Sequence, residues 1–404
     1  MATQLKKSLN AFELTLFGTG TIIGAGIYVL VGKIAGIAGF FTPLSFIVAA
    51  VIALFTALTY AQLASIFPKT ASAVVYVEKA FAFKPLSIIV GYLLLATLVI
   101  TAATIIKGFA GYMQVMANFP EQWVIIGLLL VLGFIALKGI NESIWLIGAI
   151  TLLEVGGLIF VVFVLRDSFS ADNLLWLAEL KSVEWGNVNT IMSGAFLAFF
   201  AFVGFEGIAN VAEETKQPLK SIPKAIITSL VVSSILYLLI TYVCLGSMPI
   251  DELAESTAPM SDLMERKGAA YAKFISIISM IAVVNGVMGM IIMSSRVMYG
   301  MAENGLAPRF LFHVHTKNRT PDRATICIIV ILFILTSAFS ILGLANAASF
   351  TVLIVFALVN LALVVLKATK RLPKLKTLNL SIIYPIIGFL LCVLLIVQKI
   401  LEIL

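Results

Sequence analysis

Gly18–Gly32 reads GTGTIIGAGIYVLVG, and Phe199–Asn210 reads FFAFVGFEGIAN. Both lie inside long apolar runs, yet both carry glycines: Gly18, Gly20, Gly24, Gly26 and Gly32 in the first, Gly204 and Gly207 around the charged Glu206 in the second. Glycine costs a helix about 1 kcal/mol relative to alanine, so such clusters mark places where a backbone unwinds or where helices come close. Either segment alone reads as close packing of small residues. Their positions say more, because each opens a run of five apolar segments and the two openings stand about 180 residues apart, the arrangement expected of paired, interrupted helices in an inverted repeat.

The composition sets the solvent in which those helices live. Of 404 residues, 61% are hydrophobic and 12% charged. A soluble domain is roughly half apolar and a quarter charged, so most of this surface faces lipid. The expected fold class is an all-α integral membrane protein. Apolar runs at about 11–39, 43–67, 86–113, 124–137, 144–165, 191–211, 225–248, 271–293, 324–342, 348–366 and 380–397 give eleven spans. They divide into a first five-helix repeat over residues 11–165, a second over 191–366, and an additional C-terminal helix over 380–404, all in one transmembrane domain. An odd number of crossings puts the termini on opposite sides. Most of the 27 Lys and Arg, among them Lys79, Lys84, Lys138, Lys216, Lys220, Lys224, Arg296 and Arg309, fall in inner loops if the amino terminus is cytoplasmic. The loops around Asp167–Glu184 and Asp251–Glu265 are acid-rich and fall outside, which leaves the C-terminus outside as well. The first run follows a short polar start with no small-residue cleavage site, so no removable signal peptide is expected.

Other chemistries are poorly supplied. Cys244, Cys327 and Cys392 sit singly in apolar runs, in neither a disulfide framework nor a metal-ligand spacing. The net charge of +7 is scattered at the ends of the spans, a topology signal rather than a nucleic-acid surface. His313 and His315 share one inner loop and read as loop residues. The chain lacks a GxxxxGK[ST] phosphate loop and a TVGYG filter, and it has no clustered nucleophile and base. No enzyme, no cofactor and no resident metal are expected. An ion channel is the alternative class, separable by flux saturation.

Unwinding at Ile23–Ile27 would free backbone amides at the start of one half-helix and carbonyls at the end of the other, near the bilayer middle. Amides take anions and carbonyls take cations. A zwitterion such as an α-amino acid matches that polarity, its carboxylate on the Gly24, Ala25 and Gly26 amides and its ammonium on carbonyls of both broken helices. The side-chain pocket would come from Phe200, Ala201, Phe202 and Val203, before the second break. Thr97, Thr101, Thr104 and Gly108 share one face of the third span; small-residue packing is the ordinary reading, and Thr101 is the candidate substrate contact.

The segments IIGAGIYVLVG (Ile22–Gly32), FFAFVGFEGIANVAEETKQPLKSIPKAI (Phe199–Ile226) and SSRVMYGMAENGLAPRFLFHVHTKNRTPDRA (Ser294–Ala324) resemble the amino acid, polyamine and organocation (APC) transporter family over the first ten helices. The resemblance implies a LeuT-type fold of five plus five inverted repeats, alternating access, and amino acid or amine substrates. Most members resemble a twelve-helix pattern, and this chain stops after eleven.

Two acids fall inside apolar runs. Glu154 lies in the middle of AITLLEVGGLIFVV (Ala149–Val162), with no basic residue in the same run. A carboxylate in lipid needs a proton or a partner, which makes Glu154 the candidate proton carrier; a protonated Glu hydrogen-bonded to a neighbouring helix is the plainer reading. By resemblance, GINESIWLIGAITLLE (Gly139–Glu154) puts Glu154 where several family members carry a lysine that replaces a bound sodium ion, so protons are the expected coupling ion and sodium the alternative. Glu206 lies in the second break, where it either couples protons or accepts freed amides. Lys33 and Lys107 read as snorkelling to the interface, Glu13 as interfacial. Glu213 or Glu214 with Arg296 is a candidate inner gate. The expected function is a permease moving an amino acid or amine across the cytoplasmic membrane, with exchange or sodium symport as alternatives.

Overall fold

The computed structural model describes residues 9–68, 72–117, 119–139, 144–169, 186–316, 318–373 and 378–404; the side chains of Ala25, Ile144, Trp145, Phe169 and Glu213 lie outside that description. Part of the acid-rich loop expected around Asp167–Glu184 also falls outside it. Among the described residues every regular element is helical, with one isolated bridge between Leu9 and Thr215. Among the described residues nine helical stretches are long and apolar enough to cross a membrane, and the first of these, Ala11–Ile66, contains two helices.

Those two are α1 (Ala11–Ala38) and α2 (Thr42–Ile66), followed by a short α3 (Ser72–Phe81), α4 (Lys84–Met116), α5 (Glu121–Lys138) and α6 (Ile144–Val164). The second half has α7 (Asn187–Ala198), α8 (Glu206–Asn210), α9 (Pro218–Ser247), α10 (Ile250–Glu255), α11 (Pro259–Glu265), α12 (Ala269–Glu303), α13 (Asp322–Ala338), α14 (Ile341–Ala368) and α15 (Ile383–Ile403). Local chemistry fixes the ends. Asn10 caps α1, its side chain accepting from the amides of Phe12 and Glu13, while the Glu13 carboxylate accepts from the Asn10 amide at 2.9 Å. Glu13, expected at the interface, is thus half of a capping box. Proline stands in the first turn of α2, α4, α9 and α11, where a missing amide costs nothing.

Two packing groups emerge. In one, α1 and α2 meet each other and each packs against α7 and α9; in the other, α4 is packed against α12, α13 and α14. Close approach replaces hydrophobic drive between helices in lipid. A Cβ on Gly18 would lie 2.2 Å from Ile208 of α8, and one on Gly20 would lie 2.1 Å from the Thr151 hydroxyl of α6, so the first half of α1 is wedged between them. Helix α15 is stitched to the rest by polar contacts: Cys392 to Thr56 of α2 at 3.7 Å, and Gln398 to Ser193 of α7 at 2.9 Å. Its Leu390, Leu394, Val397 and Leu401 face outward.

The end of the bundle where α1 finishes is tightly shut. The Lys33 ammonium donates to the Ala254 carbonyl at 2.5 Å, a Cβ on Gly32 would meet the Leu253 carbonyl at 2.2 Å, and one on Gly111 would meet the Thr257 carbonyl at 2.2 Å. Lys33 thereby ties the end of α1 to α10. Lys107 is likewise tied down, to Glu121 at 2.8 Å and the Thr336 carbonyl at 3.1 Å. Both partners are far away in sequence, 221 and 229 residues for the two carbonyls, so hydropathy alone could not reveal them. At the same end the Lys267 ammonium, 2.8 Å away, holds the exposed Asp167 carboxyl below the usual carboxylate range.

Candidate functional site

Both glycine-marked helices are broken, and the breaks adjoin. In α1 the helical backbone fails at Gly24 (φ 18°, ψ −141°). The interruption is narrower than Ile23–Ile27: Ile23 and Ile27 are fully buried on either side of it, and the side chain of Ala25 lies outside the described residues. In the second helix α7 tightens to a 3₁₀ turn over Phe199–Phe202, Val203 is extended, Gly204 takes φ +135°, and α8 restarts at Glu206. Phe200, Ala201 and Phe202 precede this break as expected and are buried, while Val203 belongs to the break itself. A Cβ on Gly26 would stand 3.0 Å from the Ala201 Cα, which brings the two interruptions into contact.

Four backbone groups at the breaks have partners from outside the helical ladder. The hydroxyl of Tyr237, from α9, is shared between the carbonyls of Ile22 at 2.7 Å and Ala201 at 2.8 Å, one from each broken helix. Thr21 donates to the Gly204 carbonyl at 3.1 Å, and the Glu206 carboxylate accepts the Gly204 amide at 2.9 Å. Of the two roles open to Glu206, the amide acceptor is occupied in this structure. Tyr237 carries no charge and sits in an apolar run, so sequence reasoning passed over it; its signal is the hydroxyl series Ser229, Ser233, Tyr237 at four-residue spacing on one face of α9.

Glu154 is fully buried on α6, and neither of its carboxyl oxygens has a hydrogen-bond partner among the described residues. Asn285 of α12 stands beside it short of hydrogen-bond geometry. Tyr28 of α1 donates to the Glu154 backbone carbonyl at 2.6 Å, and Tyr28 and Tyr237 are both within electrostatic reach of the carboxyl. The acid thus borders the breaks through the same tyrosine that holds their carbonyls. A partnerless buried carboxyl is costly and calls for a proton or a cation.

Open space is unevenly placed. A Cβ on Gly24 would meet nothing within 4 Å, and Thr21, Gly24 and Glu206 are half-buried rather than sealed, unlike Ile23, Ile27 and Phe202. A separate surface hollow of about 620 Å³, lined by Phe40 and residues 245–251, lies at the shut end and away from the breaks. Thr101 is buried, and among the described residues its hydroxyl has no partner on the α4 face whose Gly108 packs against Val29. Among the described residues no cluster of His, Cys, Asp and Glu is placed to hold a metal ion. His313 pairs instead with Asp322 at 2.7 Å, a carboxylate nine residues on that the loop folds back. Among the described residues Arg296 makes no ion pair; the Glu213 side chain of the expected gate lies outside them.

The amino-acid sequence is similar to those of known proteins. A family model described as amino acid permease matches residues 9–402. The branched-chain amino acid permease BcaP of Bacillus subtilis is 30% identical over 390 residues, covering 90% of this chain and 81% of that protein. Cationic amino acid transporter 4 of Homo sapiens is 28% identical over 398 residues, 92% of this chain but 62% of the human protein, so the chain spans less than two thirds of that relative. The methylthioribose transporter of Bacillus subtilis is 27% identical over 397 residues, covering 92% of this chain and 83% of that protein.

Proposed function

The chain belongs to the amino acid permease family, transporters rather than enzymes, and from that premise we propose that it carries an amino acid or related amine across the cytoplasmic membrane by alternating access. The observation that carries this reading is the pair of adjoining breaks, with room at Gly24 and, beside them, a Glu154 carboxyl that has no hydrogen-bond partner among the described residues. The substrate carboxylate sits on the amides beyond Gly24 and its ammonium on the carbonyl pole of Ile22 and Ala201, where the Tyr237 hydroxyl now stands in for it. Phe200, Ala201, Phe202 and Thr101 border the side chain. Eleven crossings arranged as five plus five and one more, amino terminus cytoplasmic, place the shut Lys33 end outside and the half-open Thr21–Gly24–Glu206 side inside. Glu154 takes the coupling proton, and rocking of one packing group against the other exposes it alternately.

The same carboxyl with Asn285 and nearby carbonyls offers oxygen ligands to sodium, which is the second reading. Uptake into proteoliposomes, screened across amino acids and amines with and without proton and sodium gradients, tests both. Saturable counterflow is expected, together with accumulation driven by protons. Glu154→Gln should abolish that accumulation and spare exchange; an unchanged pH dependence removes Glu154 from the mechanism, and accumulation driven by sodium alone selects the second reading.

A further inference from the structure

Glu206 has a second set of polar neighbours that substrate binding does not use. Tyr60 on α2 and Tyr76 on α3 are fully buried, their rings edge to face with centroids 6.0 Å apart. Neither hydroxyl has a hydrogen-bond partner among the described residues. Tyr60 packs edge-on against Phe205, the residue before Glu206, at 5.7 Å, and Glu206, Tyr76 and Cys392 all lie within electrostatic reach of its hydroxyl. From Tyr76 the set continues one turn back along α3 to Ser72, which stands near the Tyr76 hydroxyl without bonding it. The Ser72 amide in turn donates to the Asn210 side chain at 3.2 Å. Asn210 is one turn beyond Glu206 on α8 and half-exposed. Five residues from α2, α3 and α8 are thereby gathered into an open polar ring, joined among the described residues by the Ser72–Asn210 hydrogen bond and otherwise by proximity, and walled on its apolar side by Phe205 and Phe356.

Buried hydroxyls in native proteins are almost always satisfied, and where no protein group does so an internal water does. Two unsatisfied phenols side by side, next to a carboxylate and leading to a half-exposed amide, make such a place. We propose that the ring of Glu206, Tyr60, Tyr76, Ser72 and Asn210 binds an ordered internal water cluster, and that this cluster carries the proton of Glu206 to the membrane face beside α3, apart from the substrate's own path. Each hop breaks one O–H bond and makes another: Glu206 takes up, on the oxygen that does not accept the Gly204 amide, the proton that Glu154 releases, and gives it to the first water; that water passes a different proton onward, and the last releases one to solvent, returning Glu206 to carboxylate. The two phenols stay neutral and align the waters. The route rests on the proton-coupled reading above; the hydrated ring does not.

X-ray hydroxyl-radical footprinting of the protein in lipid vesicles, in ¹⁸O water, tests the ring directly, since among buried side chains only those beside bound water are labelled. Tyr60 and Tyr76 should take up label despite their burial, and absence of label at both overturns the proposal. Proton flux into vesicles containing a pH dye should fall several-fold in Tyr60→Phe and in Tyr76→Phe, while substrate exchange at equal pH stays near the wild-type rate. Label with unchanged proton flux in both variants overturns the route. Wild-type uptake that ignores a proton gradient, with both tyrosines labelled, refutes the coupling reading and leaves the hydrated ring standing.

Discussion

The two breaks differ in what fills them. At Gly24 a side chain would find nothing within 4 Å; at Gly204 it would lie 2.2 Å from the Thr21 carbonyl oxygen, with a backbone φ of +135° that only glycine adopts readily. The first interruption leaves room and the second leaves none. The second also brings its own acceptor, Glu206, for the amide it frees, whereas the carbonyl released at the first is satisfied from another helix, by Tyr237. One break is shaped for a ligand and the other for its neighbour.

Substitutions can break or sharpen that contrast. Gly204→Ala should have the largest effect, because a methyl must displace the α1 backbone: loss of folded protein on size-exclusion chromatography is expected, and a normal yield with normal uptake would make the second break as roomy as the first. Next is Glu206→Ala, which strands the Gly204 amide at a cost of about 1–3 kcal/mol, against Glu206→Gln, which keeps an acceptor oxygen. Thermal unfolding should fall clearly in the first and little in the second; equal losses would show that charge, not acceptance, matters there. Tyr237→Phe removes the hydroxyl that competes with the substrate ammonium for two carbonyls and should raise substrate affinity several-fold with the fold intact, read by binding in detergent; an unchanged affinity would take those carbonyls out of the substrate site. Gly24→Ala should be mildest in stability, its methyl entering open space and weakening binding alone; a stability loss equal to that of Gly204→Ala would erase the contrast.

Much of this was legible in the sequence. Glycines flanking Gly24 and Glu206 announced both interruptions, and a lone acid in AITLLEVGGLIFVV announced Glu154, because each breaks the uniformity that lipid imposes. What could not be read were relationships between remote segments. Tyr237 looks like any aromatic in an apolar run until two carbonyls from helices 36 and 215 residues away converge on it. Lys33 and Lys107 look like interfacial cations until their carbonyl partners fold into place. The short α10 and α11 lie in what reads only as an acid-rich loop, since six or seven residues carry too little periodicity to declare a helix.

The wedging of α1 between Ile208 and Thr151 dictates how its first half travels. Successive residues on a helix are about 100° apart, so a corkscrew turn by one position would swing the branched side chain of Thr19 or Thr21 into a notch sized for a hydrogen atom. Sliding lengthwise meets the same obstacle. What is left is a door-leaf motion, the half-helix pivoting at Gly24 with its register against both neighbours kept.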